Sequence, residues 1–357
     1  MNPDERVLSC DIAIIGGSLG GVAAALAAAS AGKTAVLTEA TDWLGGQIAS
    51  QGLSSLHEHA TIETFGGTRS YYALRNAIRA AYRDRYQIDL PFLNPGNAWV
   101  SRLCFEPRVA AQVIEGMLAP HVAAGLLTVL LEHTLTEARM DGDTVLDVTV
   151  SDFAGNRVRI EAALYLDATD LGDLLPLVGA EYVTGAEATE DTGEPHASLD
   201  GPRPDEVQAF TYAFATEYRA GTVNTIQKPV GYEYFRDRQP FTLTLAGTDG
   251  EARRYYMFRG EQPYWAYRRI FDGRMLNGSN GITLVNWDSN DYFSANLIDM
   301  PPSTQTRILN EARRLSLSFL YWLQTEAPRD EGGSGYPELC LRPDVMDTAD
   351  GLSKMPY

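Results

Sequence analysis

Asp11-Ile12-Ala13-Ile14-Ile15-Gly16-Gly17-Ser18-Leu19-Gly20-Gly21 is the stretch that decides the fold of this chain. Its first five residues are a short isoleucine-rich run, the pattern of a strand buried on both faces of a parallel sheet. Eight of the ten residues from Val22 to Ala31 are alanine or leucine, which predicts a helix over 20–31 with Gly32 as its C-terminal stop. Thr34 to Thr38 reads as a second strand, with Glu39 at its end. In such a βαβ unit the first glycine turns the chain, the second lets the backbone approach a pyrophosphate, and the third lets helix and strand pack closely. Amides at the helix start hold the anion. Gly16, Ser18 and Gly21 take those three positions, with Gly17, Leu19 and Gly20 between them, so serine replaces the middle glycine. Its small side chain permits the approach and offers a hydroxyl to phosphate. Glu39 lies 23 residues after Gly16, close to the offset at which an acid accepts hydrogen bonds from a ribose. An acid there also disfavours a 2′-phosphate.

Composition narrows the class of protein. The chain has 357 residues, 45% of them hydrophobic, enough for about two domains. With 29 basic against 47 acidic residues its formal charge is −18, a field that repels nucleic acid and anionic membranes. Cys10, Cys104 and Cys340 are odd in number and far apart, unlike a disulfide framework or a thiolate metal site. The opening Met1-Asn2-Pro3-Asp4-Glu5-Arg6 lacks the regions of a secretory leader, and the alanine run is too short to span a bilayer. These features lead to the expectation of a cytoplasmic protein without nucleic-acid or membrane partners.

Beyond Glu39 and Ala40 comes Trp43-Leu44-Gly45-Gly46-Gln47-Ile48, where the glycines allow close backbone contact with a ligand. A plain NAD domain enters another βαβ unit at once, whereas this chain inserts helical and loop material before Leu126. Leu126 to Glu132, Val145 to Val150 and Arg157 to Ile160 read as strands of a β-meander, with turns at Asp141-Gly142-Asp143 and Ala154-Gly155-Asn156. Leu164 to Ala168 reads as a further buried parallel strand. Helices are expected over 69–86 and 309–323.

Ala168-Thr169-Asp170-Leu171-Gly172-Asp173 resembles the Ala-Thr-Gly element that returns the chain to the cofactor in glutathione-reductase-like flavoproteins. Together with Gly-Gly-Ser-Leu-Gly-Gly, Leu-Gly-Gly-Gln, the segment Asn94 to Arg102 and Tyr321 to Pro328, it makes most of the chain similar to the FAD-dependent oxidoreductase group related to bacterial xanthan lyase-like proteins. The resemblance implies FAD as cofactor, held by Gly16 to Gly21, Glu39, Ala40, Gly45, Gly46, Gln47, Ala168, Thr169, Asp170, Gly172 and Asp173. Members of that group run past the point where this sequence stops, which implies completion by further residues or a second polypeptide. The expected fold is α/β: a Rossmann-like FAD-binding domain with a β-meander insertion (1–60 and 105–185), a helical insertion (61–104), an α+β aromatic-rich substrate domain whose β-rich region spans 186–303, and a C-terminal helix and segment (304–357).

His57 and His59 follow the Gly-Gly-Gln loop, and imidazole moves protons at neutral pH. Either histidine would accept a substrate proton as hydride leaves for the flavin, or tether the flavin; His59 is the preferred one, and a solvated loop histidine is the plain alternative. His121, His133 and His196 are isolated, and no metal motif is present. From Tyr232 to Phe293, aromatic residues interleave with arginines, a mixture suited to an aromatic or carboxylate-bearing small molecule and equally to an ordinary core. No second glycine-rich strand-to-helix turn marks an NADPH domain. The reading is therefore an FAD-dependent oxidoreductase that removes hydride from a small-molecule substrate, with the flavin reoxidised by oxygen or another acceptor. A noncatalytic flavin-binding subunit and a NAD-dependent dehydrogenase stand as alternatives.

Overall fold

A computed structural model describes residues 6–246 and 250–357; the opening Met1 to Glu5, read above for a leader, lies outside them. The chain divides into two compact units. The first comprises residues up to Ala40, His121–Phe210 and Tyr292–Asn310, and the second comprises Thr41–Pro120, Thr211–Asp291 and Glu311–Tyr357. These boundaries differ from the expected ones: the 41–60 loop and the start of the third helix group with the aromatic region, and 186–210 with the nucleotide unit. Local sequence carries no signal for such grouping, because it is made by contacts between distant segments.

The first unit is built on a six-stranded sheet. Strand β1 (Arg6–Ile15) leads into helix α1 (Leu19–Ser30) and strand β2 (Ala35–Thr38). Small side chains let α1 approach the sheet, and Gly21, Val22, Ala25, Ala28 and Ala29 are its buried face. The helix ends as glycine at position 32 predicts: Gly32 has φ +72° and Lys33 N–H bonds to Ala28 O at 3.0 Å, the six-to-one bond of a Schellman stop. Strand β3 (Leu127–Leu130) then lies parallel to β2, with Ala35 opposite Leu127. Strands β4 (Thr134–Asp141), β5 (Thr144–Ser151) and β6 (Arg157–Asp167) complete the order β3-β2-β1-β6-β5-β4. Strands β1 to β3 and β6 run parallel, while β4, β5 and β6 form the antiparallel meander. Ala13, Ile15, Val36, Val148, Val150 and Ile160 share one apolar core.

Two strand readings are corrected. The run from Leu126 is a parallel strand, and the meander instead begins with β4, whose Thr-Leu-Thr-Glu-Ala-Arg-Met-Asp sequence is largely exposed and shows no apolar run to read. The segments Arg157 to Ile160 and Leu164 to Ala168 are one continuous strand. Its second half is also less buried than expected, with Leu164 60% and Leu166 41% exposed. The register explains this: β5 pairs only with Arg157 to Ile160, so beyond that point β6 has β1 alone beside it among the described residues.

The second unit holds helix α2 (Arg69–Tyr86), on the expected residues, and most of α3 (Pro107–Ala123). Thr68 caps α2 by accepting from Tyr71 N–H at 3.2 Å. Strand β7 (Phe214–Tyr218) is followed by the short pair β8 (Thr244–Ala246) and β9 (Ala252–Arg254). Strands β10 (Arg269–Phe271), β11 (Ile282–Val285) and β12 (Leu339–Leu341) join β7 in an antiparallel sheet of order β10-β11-β7-β12. The helix expected over 309–323 spans Pro302–Thr325; proline is tolerated in a first turn, where its missing N–H has no partner to lose. The aromatic residues between 232 and 293 divide into several groups: Trp287 meets Tyr255, Tyr264 and Tyr267 at centroid distances of 5.2, 5.0 and 5.5 Å, while Phe258 and Trp265 pack with Tyr218.

Candidate functional site

The ends of three strands of the first unit meet at the glycine turn. Gly16 has φ +101°, and a Cβ there would overlap the carbonyl of Ala168 at the end of β6. A Cβ on Gly21 would overlap the carbonyl of Gly16. Both outer glycines are thus sterically required. Gly20 is not: its Cβ would meet only Ser18 Oγ at 3.5 Å. Ser18 caps α1, its Oγ accepting from Gly21 N–H at 3.3 Å, and its own hydroxyl proton stays available as a donor. The amides of Leu19 and Gly20 belong to the first helical turn, where no intrahelical acceptor exists. They and the macrodipole make an anion site.

The end of β2 shapes the same turn. Thr38 Oγ1 accepts from Gly16 N–H at 3.1 Å, and Glu39 Oε2 accepts from Gly17 N–H at 3.1 Å. Glu39 is 7% exposed, so a carboxylate sits inside the turn beside Ala40, where the sequence expects a ribose partner. Two glycines that admit no side chain, free first-turn amides and a carboxylate at the end of the second strand fit an adenine dinucleotide.

The loop after β6 is organised by a residue the sequence reading missed. Asp167 Oδ1 accepts from Thr169 N–H at 2.9 Å and from Thr169 Oγ1 at 2.7 Å, and Oδ2 accepts from Leu174 N–H at 2.8 Å. Thr169 Oγ1 in turn accepts from Asp173 N–H at 2.8 Å. Thr169 therefore spends its hydroxyl within the loop. An aspartate closing a strand before a turn was the available signal, since its side chain bonds backbone amides two residues on. Burial, with Asp167 and Asp170 nearby, pushes the Asp173 carboxyl up. Gly172 and Asp173 border a hollow of about 800 Å³ that Leu171, Leu177, Tyr182 and Ile298 also line.

The remaining expected residues belong to the second unit. Gly45 has φ +113°, and a Cβ there would stand 2.6 Å from Ile114 Cδ1 of α3. Gly46 and Gln47 begin a single 3₁₀ turn, and Gln47 O accepts from Leu53 N–H at 2.8 Å. The two histidines fare differently. His59 is exposed but engaged within its own loop: Nδ1 pairs with Thr61 Oγ1 at 2.9 Å, and Nε2 sits against Gly66. His57 is exposed and rests on buried Arg268, with Arg268 Nη1 3.3 Å from His57 Nε2. A guanidinium only donates, so Nε2 accepts and Nδ1 carries the proton. Burial and the Arg268 charge hold the His57 pKa below its ordinary value, which keeps the ring neutral.

Glu58, between them, anchors this loop. Its carboxylate accepts from Arg75 Nε at 2.6 Å and from Tyr71 Oη at 2.6 Å. Arg75 also reaches Glu63 at 2.9 Å, and Arg79 reaches Glu63 at 2.7 Å. Arg75 and Arg79, one turn apart on α2, are thus buried ion-pair partners. Burial raises Glu63, but Arg79 and Arg75 more than offset it and hold its pKa at about 2. The arginine and aromatic mixture does form a hollow, of about 330 Å³, walled by Tyr218, Phe258 and Trp265 with Arg269 and Arg274 at its edge. Among the described residues no three histidine, cysteine, aspartate or glutamate side chains gather to hold a metal ion, and no helix is long and apolar enough to cross a membrane.

A parallel sheet carrying a glycine-rich first turn, an acid after the second strand and an antiparallel meander defines a Rossmann-like nucleotide-binding fold of the FAD-binding class. The chain belongs to the FAD dependent oxidoreductase family, whose sequence model matches residues 11–357. The family's cofactor is FAD. No curated protein matches the chain. Among solved structures, it is similar to the glycerol-3-phosphate dehydrogenase of Bacillus halodurans complexed with FAD, at 13% identity and TM-score 0.39, over 94% of this chain and 55% of that one. It is likewise similar to p-nitrophenol 4-monooxygenase of Pseudomonas putida, at 13% identity and TM-score 0.39, over 99% and 67%, and to L-proline dehydrogenase of P. horikoshii, at 16% identity and TM-score 0.27, over 52% and 25%. The chain spans 25%, 39% and 48% of the length of three such structures.

Proposed function

We propose that this chain acts as an FAD-dependent oxidoreductase that removes hydride from a small molecule and passes electrons to oxygen or another acceptor. The convergence of Gly16, Gly21, Glu39 and Ala168 at one turn carries this reading. When bound, FAD supplies the hydride acceptor, and the protein supplies binding, orientation and electrostatics. In this reading the amides of Leu19 and Gly20 and the Ser18 hydroxyl hold the pyrophosphate, and the Glu39 carboxylate accepts from the adenosine ribose. Ala40, Gly45, Gly46, Gln47, Ala168, Thr169, Asp170, Gly172 and Asp173 complete the proposed cofactor set, Thr169 and Asp173 through the shape of their loop. His57 takes the chemical role ahead of His59, because its Nδ1–H is free of the loop contacts that engage His59. As held, His57 is a hydrogen-bond donor. It takes up a proton only when Nε2 leaves Arg268, so it serves first to orient a substrate oxygen.

Anaerobic titration of the purified protein tests the proposal. A yellow protein whose flavin absorbance bleaches with a substrate supports it. Protein that retains no FAD after reconstitution refutes the cofactor assignment, and a coloured protein that no metabolite in a broad screen bleaches refutes the oxidoreductase assignment.

A further inference from the structure

Three arginines of the second unit are buried: Arg75, Arg79 and Arg268. The first two are neutralised by Glu58 and Glu63. Arg268, 5% exposed, has no carboxylate within ion-pair distance among the described residues. Its Nη1 donates to Ser55 Oγ at 2.7 Å and faces His57 Nε2, and its Nη2 donates to Tyr267 Oη at 3.2 Å. All three acceptors are neutral, and Nε has no partner at all. The guanidinium also lies 4.7 Å from the Tyr267 ring centroid, which softens its burial without cancelling its charge. Asp291 feels Arg268 only through space: Thr211 donates to its carboxylate, and it forms no ion pair with the guanidinium among the described residues.

A buried cation without an anion is costly unless something outside the chain compensates it. The way in is marked. His57 is the exposed side chain hydrogen-bonded to Arg268, and because its Nε2 accepts from the guanidinium, Nδ1 carries the proton as a donor on the other side of the ring.

We propose that Arg268 and His57 form a carboxylate subsite: the ligand's carboxylate accepts from His57 Nδ1–H, and the buried guanidinium behind the ring supplies the counter-charge. One outward donor backed by one cation suits a single negative charge better than a phosphate, which gathers several amides or cations. The subsite exists independently of the redox reading; only calling its ligand the substrate rests on that reading.

The test uses the FAD-loaded protein, with benzoate as probe and neutral benzamide as its control. Histidine ¹⁵N spectra, with the His57 signals assigned through His57→Gln, report the Nδ1 resonance while calorimetry gives affinity. Benzoate should shift the His57 Nδ1 signal and bind at least tenfold more tightly than benzamide. Arg268→Met should weaken benzoate at least tenfold and leave benzamide within twofold, while Arg268→Lys should recover part of the loss. Equal binding of benzoate and benzamide, or benzoate binding that leaves His57 unmoved, overturns the proposal. So does an Arg268→Met protein that binds benzoate normally but loses FAD, which would assign the charge to the cofactor. If Arg268→Met does not fold, the wild-type benzoate and benzamide comparison and the exposed His57→Gln variant, in which benzoate should weaken at least tenfold, decide the matter. Failure of every metabolite to bleach the flavin would sink the redox reading and leave these results standing.

Discussion

Replacing Arg75 by methionine probes the network that holds the His57 loop. The Arg75 and Glu58 side chains are 1% and 2% exposed, and Glu63 is 18% exposed. Methionine keeps most of the apolar stem but strands the Glu58 carboxylate in the interior. Removing one partner of a buried ion pair costs about 3–5 kcal/mol, because the other charge is left uncompensated. The pH dependence gives a second measure. Glu63 falls from 4.5 to about 2 in the folded chain, a shift worth about 3 kcal/mol in total, shared between Arg75 and Arg79. Because the folded pKa is depressed, that stability is fully present above about pH 4.5 and disappears as pH falls towards 2. For a unit of this size each kcal/mol moves the melting temperature by about 2–4 °C, so Arg75→Met should lower it by roughly 6–20 °C at pH 7. Differential scanning calorimetry of wild type, Arg75→Met and the double variant Arg75→Met with Glu58→Gln measures this. The double variant should recover part of the loss, because the stranded charge is gone. A single variant within about 2 °C of wild type at pH 7 would show that the network does not hold the loop.

Three further outcomes follow from the site. Glu39→Gln keeps an acceptor for Gly17 N–H but removes the charge, so FAD affinity measured by fluorescence titration should drop about 10- to 100-fold; unchanged affinity would remove Glu39 from the ribose. Gly21→Ala drives a Cβ into the Gly16 carbonyl, and flavin content of the purified protein should fall to a small fraction of wild type, with an unchanged ratio counting against the packing argument. Cys104 is buried and its thiol is pushed up to about 12 by desolvation, so at pH 8 iodoacetamide should leave it unmodified in the folded protein; peptide mass mapping that finds it alkylated ahead of Cys10 and Cys340 would contradict its burial.

What the sequence determined by itself is what neighbours in the chain settle. The Asp11 to Glu39 unit could be read because a buried strand, a steric turn and a capped alanine helix each depend on residues a few positions apart. Helix α2 was legible for the same reason, from the regular apolar face along it. Only the tertiary structure decided which charges meet. Arg268 lies 213 residues from Ser55, and no spacing shows that it is buried without an anion, or that Arg75 and Arg79 turn inward to Glu58 and Glu63. The choice between His57 and His59 was hidden likewise, since it depends on one ring resting on Arg268 and the other on Thr61. Strand β4 escaped reading because an exposed strand is stabilised by its partner's backbone, and its own side chains carry no apolar pattern. Electrostatic and pairing partners are fixed by distance in space, which local patterns record only where the chain returns to itself within a few residues.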